Sequence, residues 1–393
     1  MKNFPNDFLW GISTSAHQVE GGNENDWTEW EKNGRSKDFS GEACNHWNLD
    51  QFKKDLELAK KIGVNAYRLS LEWSRIMPQP YVINQEALEH YKEMLRHIRL
   101  AGMKTMVTLH HFTNPVWFAK MGGWLSAPLD PFFVYIKACG AALNPYVDLW
   151  LTFNEPNVYA GCGWIIGKWP PGKKGLIPVA WYVTGRMIKA HNQIYRIIKG
   201  CSRSPVGIVY NLTCFTSRNI FEKALNWLAS YFANQEWWLN FVKVDFLGVD
   251  YYFRQQLELS FLPPFIKISP PTGPISDFGW EVYPEGIYQI LHSLRKLNLP
   301  IYITENGIAD AKDQLRGDFI ESHLKQVFRA INKGFPVKGY FYWSLIDNFE
   351  WEEGYSKKFG LIEVDRATGA RRLRQSAKVY EKIIKGNESQ RKK

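Results

Sequence analysis

The chain has 393 residues, 45% of them apolar and 22% charged, enough to bury a large core in one barrel or in two or three ordinary domains. Its formal charge of +10 is spread over short groups such as Lys53-Lys54, Lys173-Lys174 and Arg391-Lys392-Lys393; without a longer basic run or a nucleic-acid motif, no nucleic-acid partner is expected. The five cysteines contain no C-x-x-C pair, which argues for reduced thiols over a disulfide framework or a zinc site, and no apolar run is long enough for a membrane helix.

Met1 to Trp10 lacks the basic-then-apolar order of a signal peptide, so a cytoplasmic location is expected. Apolar, β-branched and aromatic runs predict strands at Phe8–Ser13, Ala66–Leu71, Thr105–Leu109, Leu149–Phe153, Val206–Tyr210, Phe246–Val249, Ile301–Thr304 and Gly339–Trp343. Amphipathic segments lie between and after them, among them Asn48–Lys61, Gln85–Ala101, Ser322–Lys333 and Ser376–Ile384. Strands buried on both faces that alternate with helices indicate a parallel sheet with crossover helices. Eight such units, with no G-x-G-x-x-G first turn, predict an α/β fold: a single (β/α)8 TIM barrel over residues 1–385. Leu262–Pro274 reads as a long Pro-rich loop after the sixth strand, and the polar residues 386–393 as a disordered tail.

A barrel of this kind carries its chemistry at the C-terminal ends of the strands. Polar or aromatic groups collect there: Gln18 after strand one, His110-His111 after three, Asn154-Glu155 after four, Asn211 after five, Asp250-Tyr251-Tyr252 after six, Glu305-Asn306 after seven, and Trp343 at the end of eight. A lone Glu at a strand end is usually a solvated or capping group. Two of them, each beside Asn, at the rims of strands four and seven, are harder to explain that way, because those strands lie roughly opposite each other. Glycoside cleavage needs this pair: one carboxyl protonates the leaving oxygen while the other, ionised, faces an oxocarbenium-like centre. A separation of about 5–5.5 Å lets the ionised carboxylate attack and gives retention, whereas about 6.5–9.5 Å admits water and gives inversion. The 17 Trp, 19 Tyr and 24 Phe fit either a large core or a cleft whose ring faces stack on sugars.

These segments resemble glycoside hydrolase family 1, the β-glucosidase and β-galactosidase family, and its thermophilic branch in particular. The resemblance runs from Phe8-Leu9-Trp10-Gly11 through Tyr67-Arg68-Leu69-Ser70-Leu71-Glu72-Trp73-Ser74-Arg75, His110–Pro115, Asn154-Glu155-Pro156 and Thr304-Glu305-Asn306-Gly307 to Tyr342–Trp351. It implies a retaining β-glycosidase with Glu155 as acid/base, Glu305 as nucleophile, and Arg68 and Tyr252 beside the nucleophile. It also implies that Asn154 contacts the sugar 2-hydroxyl, that Gln18, His111, Glu350 and Trp351 clamp the glycone, and that Trp343 lies under the ring. Asn211 and Phe359 complete the expected substrate-binding set. Phosphoglycoside-cleaving members carry Ser and Tyr where this chain has Glu350 and Phe359, so an unphosphorylated glycone is expected; a carboxylate would repel a phosphate. Three positions depart from the commoner pattern: Asp250 stands where Asn is usual, and Asn45 and Trp47 replace an Asp-His-Tyr arrangement.

The expected partner is therefore a β-glycoside or oligosaccharide, with no cofactor, metal or membrane, and with the oligomeric state left open. Two other readings use the same residues. A transglycosidase would pass the same covalent intermediate to a sugar hydroxyl. A sugar-binding barrel without catalysis predicts loss of one Glu or of Arg68, and all three are present.

Overall fold

A computed structural model describes residues 4–217, 223–260 and 266–391. Eight strands close into a barrel: β1 (Leu9–Ser13), β2 (Ala66–Ser70), β3 (Lys104–His110), β4 (Leu149–Phe153), β5 (Val206–Asn211), β6 (Phe246–Asp250), β7 (Ile301–Asn306) and β8 (Val337–Trp343). Neighbours pair parallel in chain order, and β1 returns to β8 with Leu9 opposite Gly339 and Ser13 opposite Trp343. The chain thus has the α/β barrel expected of it.

Side-chain alternation divides the apolar residues into two cores. Outward positions such as Leu69, Val107, Trp150, Ile208, Leu247 and Ile303 join the helices in the main core. Inward positions such as Ala66, Met106, Leu151, Val209, Phe246 and Phe341 fill the barrel itself. The interior is closed by matching large residues to small ones. A Cβ on Gly11 would lie 2.1 Å from the Phe341 ring, so β1 leaves that position empty for its neighbour across the barrel seam.

Helices pack around the sheet with ordinary terminal signals. In Leu49–Ile62 the side chain of Asn48 accepts from the backbone of Asp50 and Gln51, and Gly63 ends the helix at φ 87°. No helix among the described residues is long and apolar enough to cross a membrane.

Two expectations need correction. Of the residues read as a tail, 392–393 lie outside the described residues and 386–391 continue the last helix, which spans Gln375–Arg391. Its inward face runs Ala377, Tyr380, Ile384 and then Asn387, which is 3% exposed and accepts from the Phe4 amide at 2.9 Å. The amphipathic period therefore continues through a polar residue that apolar patterning does not count. Within the stretch read as a loop, residues 262–265 lie outside the described residues, but Ile266–Ile268 is a strand. It pairs antiparallel with Arg254–Leu259, which pairs parallel with Cys214–Ser217 in a small sheet above the barrel.

Candidate active site

The two glutamates reach the barrel mouth by different local devices. Glu155 follows β4 in the left-handed region, at φ 40° and ψ 61°, and Pro156 opens the next helix. Such a conformation costs a non-glycine residue about 1–3 kcal/mol. It is held by backbone bonds on both sides: the Glu155 amide donates to the Val209 carbonyl at 3.1 Å, and its carbonyl accepts from Tyr159 at 3.0 Å. Glu305 lies inside β7, where strict alternation after the inward Thr304 would turn it outward. The pairing of β7 with β6 shifts register between Ile303 and Glu305, and that irregularity re-aims the side chain.

The Glu305 carboxylate is held from two sides. Arg68 Nη1 donates to Oε1 at 2.5 Å and the Tyr252 hydroxyl to Oε2 at 2.6 Å. Arg68 comes from the middle of β2, below the rim; Nη1 also donates to the Thr304 carbonyl (3.2 Å), while Nη2 donates to Asn154 Oδ1 (2.5 Å) and Nε to Thr108 Oγ1 (3.3 Å). Glu155 instead accepts from Asn211 Nδ2 at 2.8 Å and, among the described residues, is paired with no cation. Oxygen atoms of Glu155, Glu305 and the buried Asp250 lie within 4.8 Å of one another.

Charge follows from this asymmetry. Burial first, and the Glu305 charge second, push the Glu155 carboxyl up to about 8. Burial also raises Glu305, while Arg68 and then Tyr252 oppose the rise. Glu305 is therefore the carboxyl that ionises and Glu155 the one that keeps its proton.

Around the carboxylates a cavity of about 280 Å³ is lined at one end by Gln18, His111, Trp343, Glu350 and Trp351. Gln18 Nε2 donates to Glu350 Oε2 at 3.2 Å and to the Phe349 carbonyl at 2.8 Å, joining the first and last loops of the barrel. Burial raises Glu350 well above the usual carboxylate range, with Glu352 and Glu305 adding to it. His111 stacks between Trp343 (18° between planes) and Trp351 (13°). Burial, with Arg68 second, holds its imidazole well below the usual value, and so neutral. Because Arg68 occupies Asn154 Oδ1, the Asn154 amide donates to His111 Nε2 at 3.2 Å, which leaves Nδ1 carrying the hydrogen.

The opposite wall is aromatic. Phe278 stacks on Trp280 with centroids 4.0 Å apart, Trp280 stacks on Phe253, and Phe359 closes against Tyr252. Of the predicted set, Gln18, His111, Glu155, Asn211, Tyr252, Glu305, Trp343, Glu350, Trp351 and Phe359 line the cavity, while Arg68 and Asn154 stand behind it. Sequence reasoning missed Trp169, Glu352, Phe278 and Trp280. The Trp169 indole donates to Glu352 Oε2 at 2.6 Å, a link between distant loops with no local signature. Asn45 (at φ 57°) and Trp47 lie near the loop after β1, where Trp47 stacks under the Arg75 guanidinium at 3.9 Å. Among the described residues, the group of acidic side chains close enough to share a metal ion is Glu155, Asp250 and Glu305, the two candidate catalytic carboxyls and one neighbour.

A closed (β/α)8 barrel with two facing carboxyls in an aromatic cleft defines a glycosidase-type site. The sequence profile of glycosyl hydrolase family 1 matches residues 1–244 and 243–389, and the chain belongs to that family of O-glycosyl hydrolases. A β-glycosidase from Pyrococcus horikoshii superposes with a TM-score of 0.90 at 37% identity, covering 98% of this chain and 95% of that one. Beta-glucosidase A of Thermotoga maritima is 31% identical over 444 aligned positions, 98% of this chain and 99% of the relative. A beta-galactosidase of Pyrococcus woesei is 31% identical over 98% of this chain and 97% of its own.

Proposed function

We propose that the protein is a retaining β-glycosidase that hydrolyses terminal, unphosphorylated β-linked sugars. The observation that carries this reading is the asymmetric pair: Glu155 and Glu305 approach within 4.8 Å, and only Glu305 is bonded to a guanidinium and a phenol. Nearest oxygens this close favour the closely spaced pair of carboxyls that attacks directly. Glu305 attacks the anomeric carbon as Glu155 gives its proton to the leaving oxygen. Glu155, now a carboxylate, then takes a proton from the water that cleaves the glycosyl ester. Trp343 lies under the sugar ring, and Gln18, His111, Glu350 and Trp351 bind its hydroxyls. Asn154, behind the wall, fixes His111 and needs a small rearrangement to reach the 2-hydroxyl. The five free cysteines fit a reducing compartment such as the cytoplasm.

The test is a panel of 4-nitrophenyl β-glycosides with wild type, Glu155→Gln and Glu305→Gln, and NMR of the first-formed anomer. Retention, with loss of turnover in Glu305→Gln, is the expected result. Inversion or an active Glu305→Gln enzyme refutes the proposal. Products formed with added sugar acceptor separate hydrolysis from transglycosylation.

A further inference from the structure

Asp250 ends β6, with Asn211 opposite it on β5 and Glu305 opposite it on β7. It is the top of an inward column whose lower members are Phe246 and Gly248, and it is 0% exposed. Its Oδ1 accepts from Thr304 Oγ1 at 2.5 Å. Its Oδ2 is buried and receives no donor from any described residue, although the side chain is within hydrogen-bonding reach of the Glu155 carboxyl. Two carboxylates have no hydrogen to share, so once Glu155 has given up its proton an ionised Asp250 would face it as a second anion across a buried gap. Arg68 faces the group from β2, but its nitrogens are already committed to Glu305, Asn154, Thr108 and the Thr304 carbonyl.

We propose that Asp250 is a positioning residue that works as a neutral carboxylic acid, its Oδ2 hydroxyl donating a hydrogen bond to the Glu155 carboxyl. A neutral acid has the donor and acceptor pattern of an amide: one oxygen accepts, here from Thr304, and the other donates. Both Asp250 oxygens are then satisfied. A buried site can hold a carboxylic acid neutral at physiological pH so that it serves as a donor. Burial first, then the Glu305 charge, raises Asp250 well above the carboxylate range, with Arg68 opposing and Glu155 adding to the rise. The remaining titratable neighbour is the Tyr252 phenol, which burial and the surrounding carboxylates keep protonated.

The inference rests on Glu155 being the acid/base and adds a role during its proton transfer. As the glycosidic C–O bond breaks, the Glu155 proton moves to the leaving oxygen and Glu305 bonds to the anomeric carbon. The new Glu155 carboxylate keeps two donors, Asp250 Oδ2–H and Asn211 Nδ2–H. When Glu155 takes a proton back from the attacking water, the Asp250 proton has not moved. Asp250 therefore makes Glu155 a stronger acid, an effect felt most by leaving groups that need protonation.

The experiment compares wild type, Asp250→Asn and Asp250→Ala on 4-nitrophenyl and methyl β-glucosides across the pH range, with circular dichroism to establish folding. The asparagine variant keeps one acceptor and one weaker donor. Its kcat/KM at the optimum should stay within about tenfold of wild type, and its basic limb should stay in place or move to higher pH by up to about one unit. The alanine variant should raise the 4-nitrophenyl to methyl rate ratio by about tenfold or more, and the asparagine variant should restore it. A purely structural role would lower both rates together and leave the ratio unchanged. If Asp250 were ionised it would repel the Glu155 anion, and Asp250→Asn would move the basic limb to lower pH; that shift overturns the proposal. Independently, the wild-type minus Asp250→Asn infrared difference spectrum at neutral pH should contain the carbonyl stretch of a protonated acid, and its absence also overturns it. Glu155→Gln decides the acid/base assignment separately, so the two ideas fail by different results.

Discussion

Tyr252→Phe removes one oxygen and leaves the ring in place against Trp280 and Phe359. The lost bond, 2.6 Å long, runs from a phenol to the carboxylate of Glu305. A hydrogen bond to a charged acceptor is worth about 1.5–3 kcal/mol. Because the bond favours the ionised carboxylate, its removal raises the Glu305 value, at 1.36 kcal/mol per pH unit, by about one to two units. Arg68 still donates to Oε1, which keeps the shift at the lower end of that range. Attack requires ionised Glu305, so activity is lost as pH falls through this value. The acidic limb of kcat/KM should therefore move to higher pH by about one unit, with the basic limb unchanged. Initial rates on 4-nitrophenyl β-D-glucoside between pH 4 and 9 measure both limbs. If the rate falls equally at every pH and the acidic limb does not move, Tyr252 acts by packing and the electrostatic argument is wrong.

Glu350→Ser should lower kcat/KM for plain glucosides by up to about tenfold, the loss of one hydrogen bond to a buried carboxyl. The same variant should raise the ratio of 6-phosphoglucoside to glucoside turnover, measured on the two 4-nitrophenyl substrates. An unchanged ratio would show that Glu350 does not select against phosphate. Wild-type activity should decline above about pH 8 as the raised Glu155 carboxyl loses its proton, and azide should restore turnover of activated aryl glucosides in Glu155→Gln. Extended dialysis against EDTA should leave activity unchanged; a loss reversed by a divalent cation would place an ion among Glu155, Asp250 and Glu305. Asn387→Ala leaves the Phe4 amide buried without an acceptor and should cost about 1–3 kcal/mol, seen as a fall of a few degrees in the melting midpoint.

The barrel was legible because most positions on both faces of each strand are apolar and polar groups gather toward the tops, Arg68 in the middle of β2 being an exception. Glu155 announces itself by standing between Asn154 and Pro156. The inward aim of Glu305 was not derivable from alternation, which points the other way. It depends on the register shift against β6, a property of two strands together. Trp169, Phe278 and Trp280 escaped for a related reason: loops carry no period, and their rings are placed by tertiary contacts across distant segments. Ile266–Ile268 was hidden by the prolines around it, and Asn387 by its polarity. Asp250 was legible as a departure from the family pattern, whereas its unpaired oxygen appears only once Thr304 and Glu155 are in place.

The bond between the Phe4 amide and Asn387 ties the segment before β1 to the last helix at the foot of the barrel. With the Tyr380 hydroxyl also sharing its one hydrogen between the Gly11 and Tyr340 carbonyls on either side of the seam, the last helix works as a buckle across the joint between β1 and β8. Phe4 and Asn387 stand close enough to be joined by a short linker, and the chain can be opened elsewhere, for example at the exposed turn near Gly369 (φ 71°). Such a permuted molecule would keep every barrel pairing while moving the termini away from the seam. The order in which the strands come off the ribosome is then separable from the ring that they finally form.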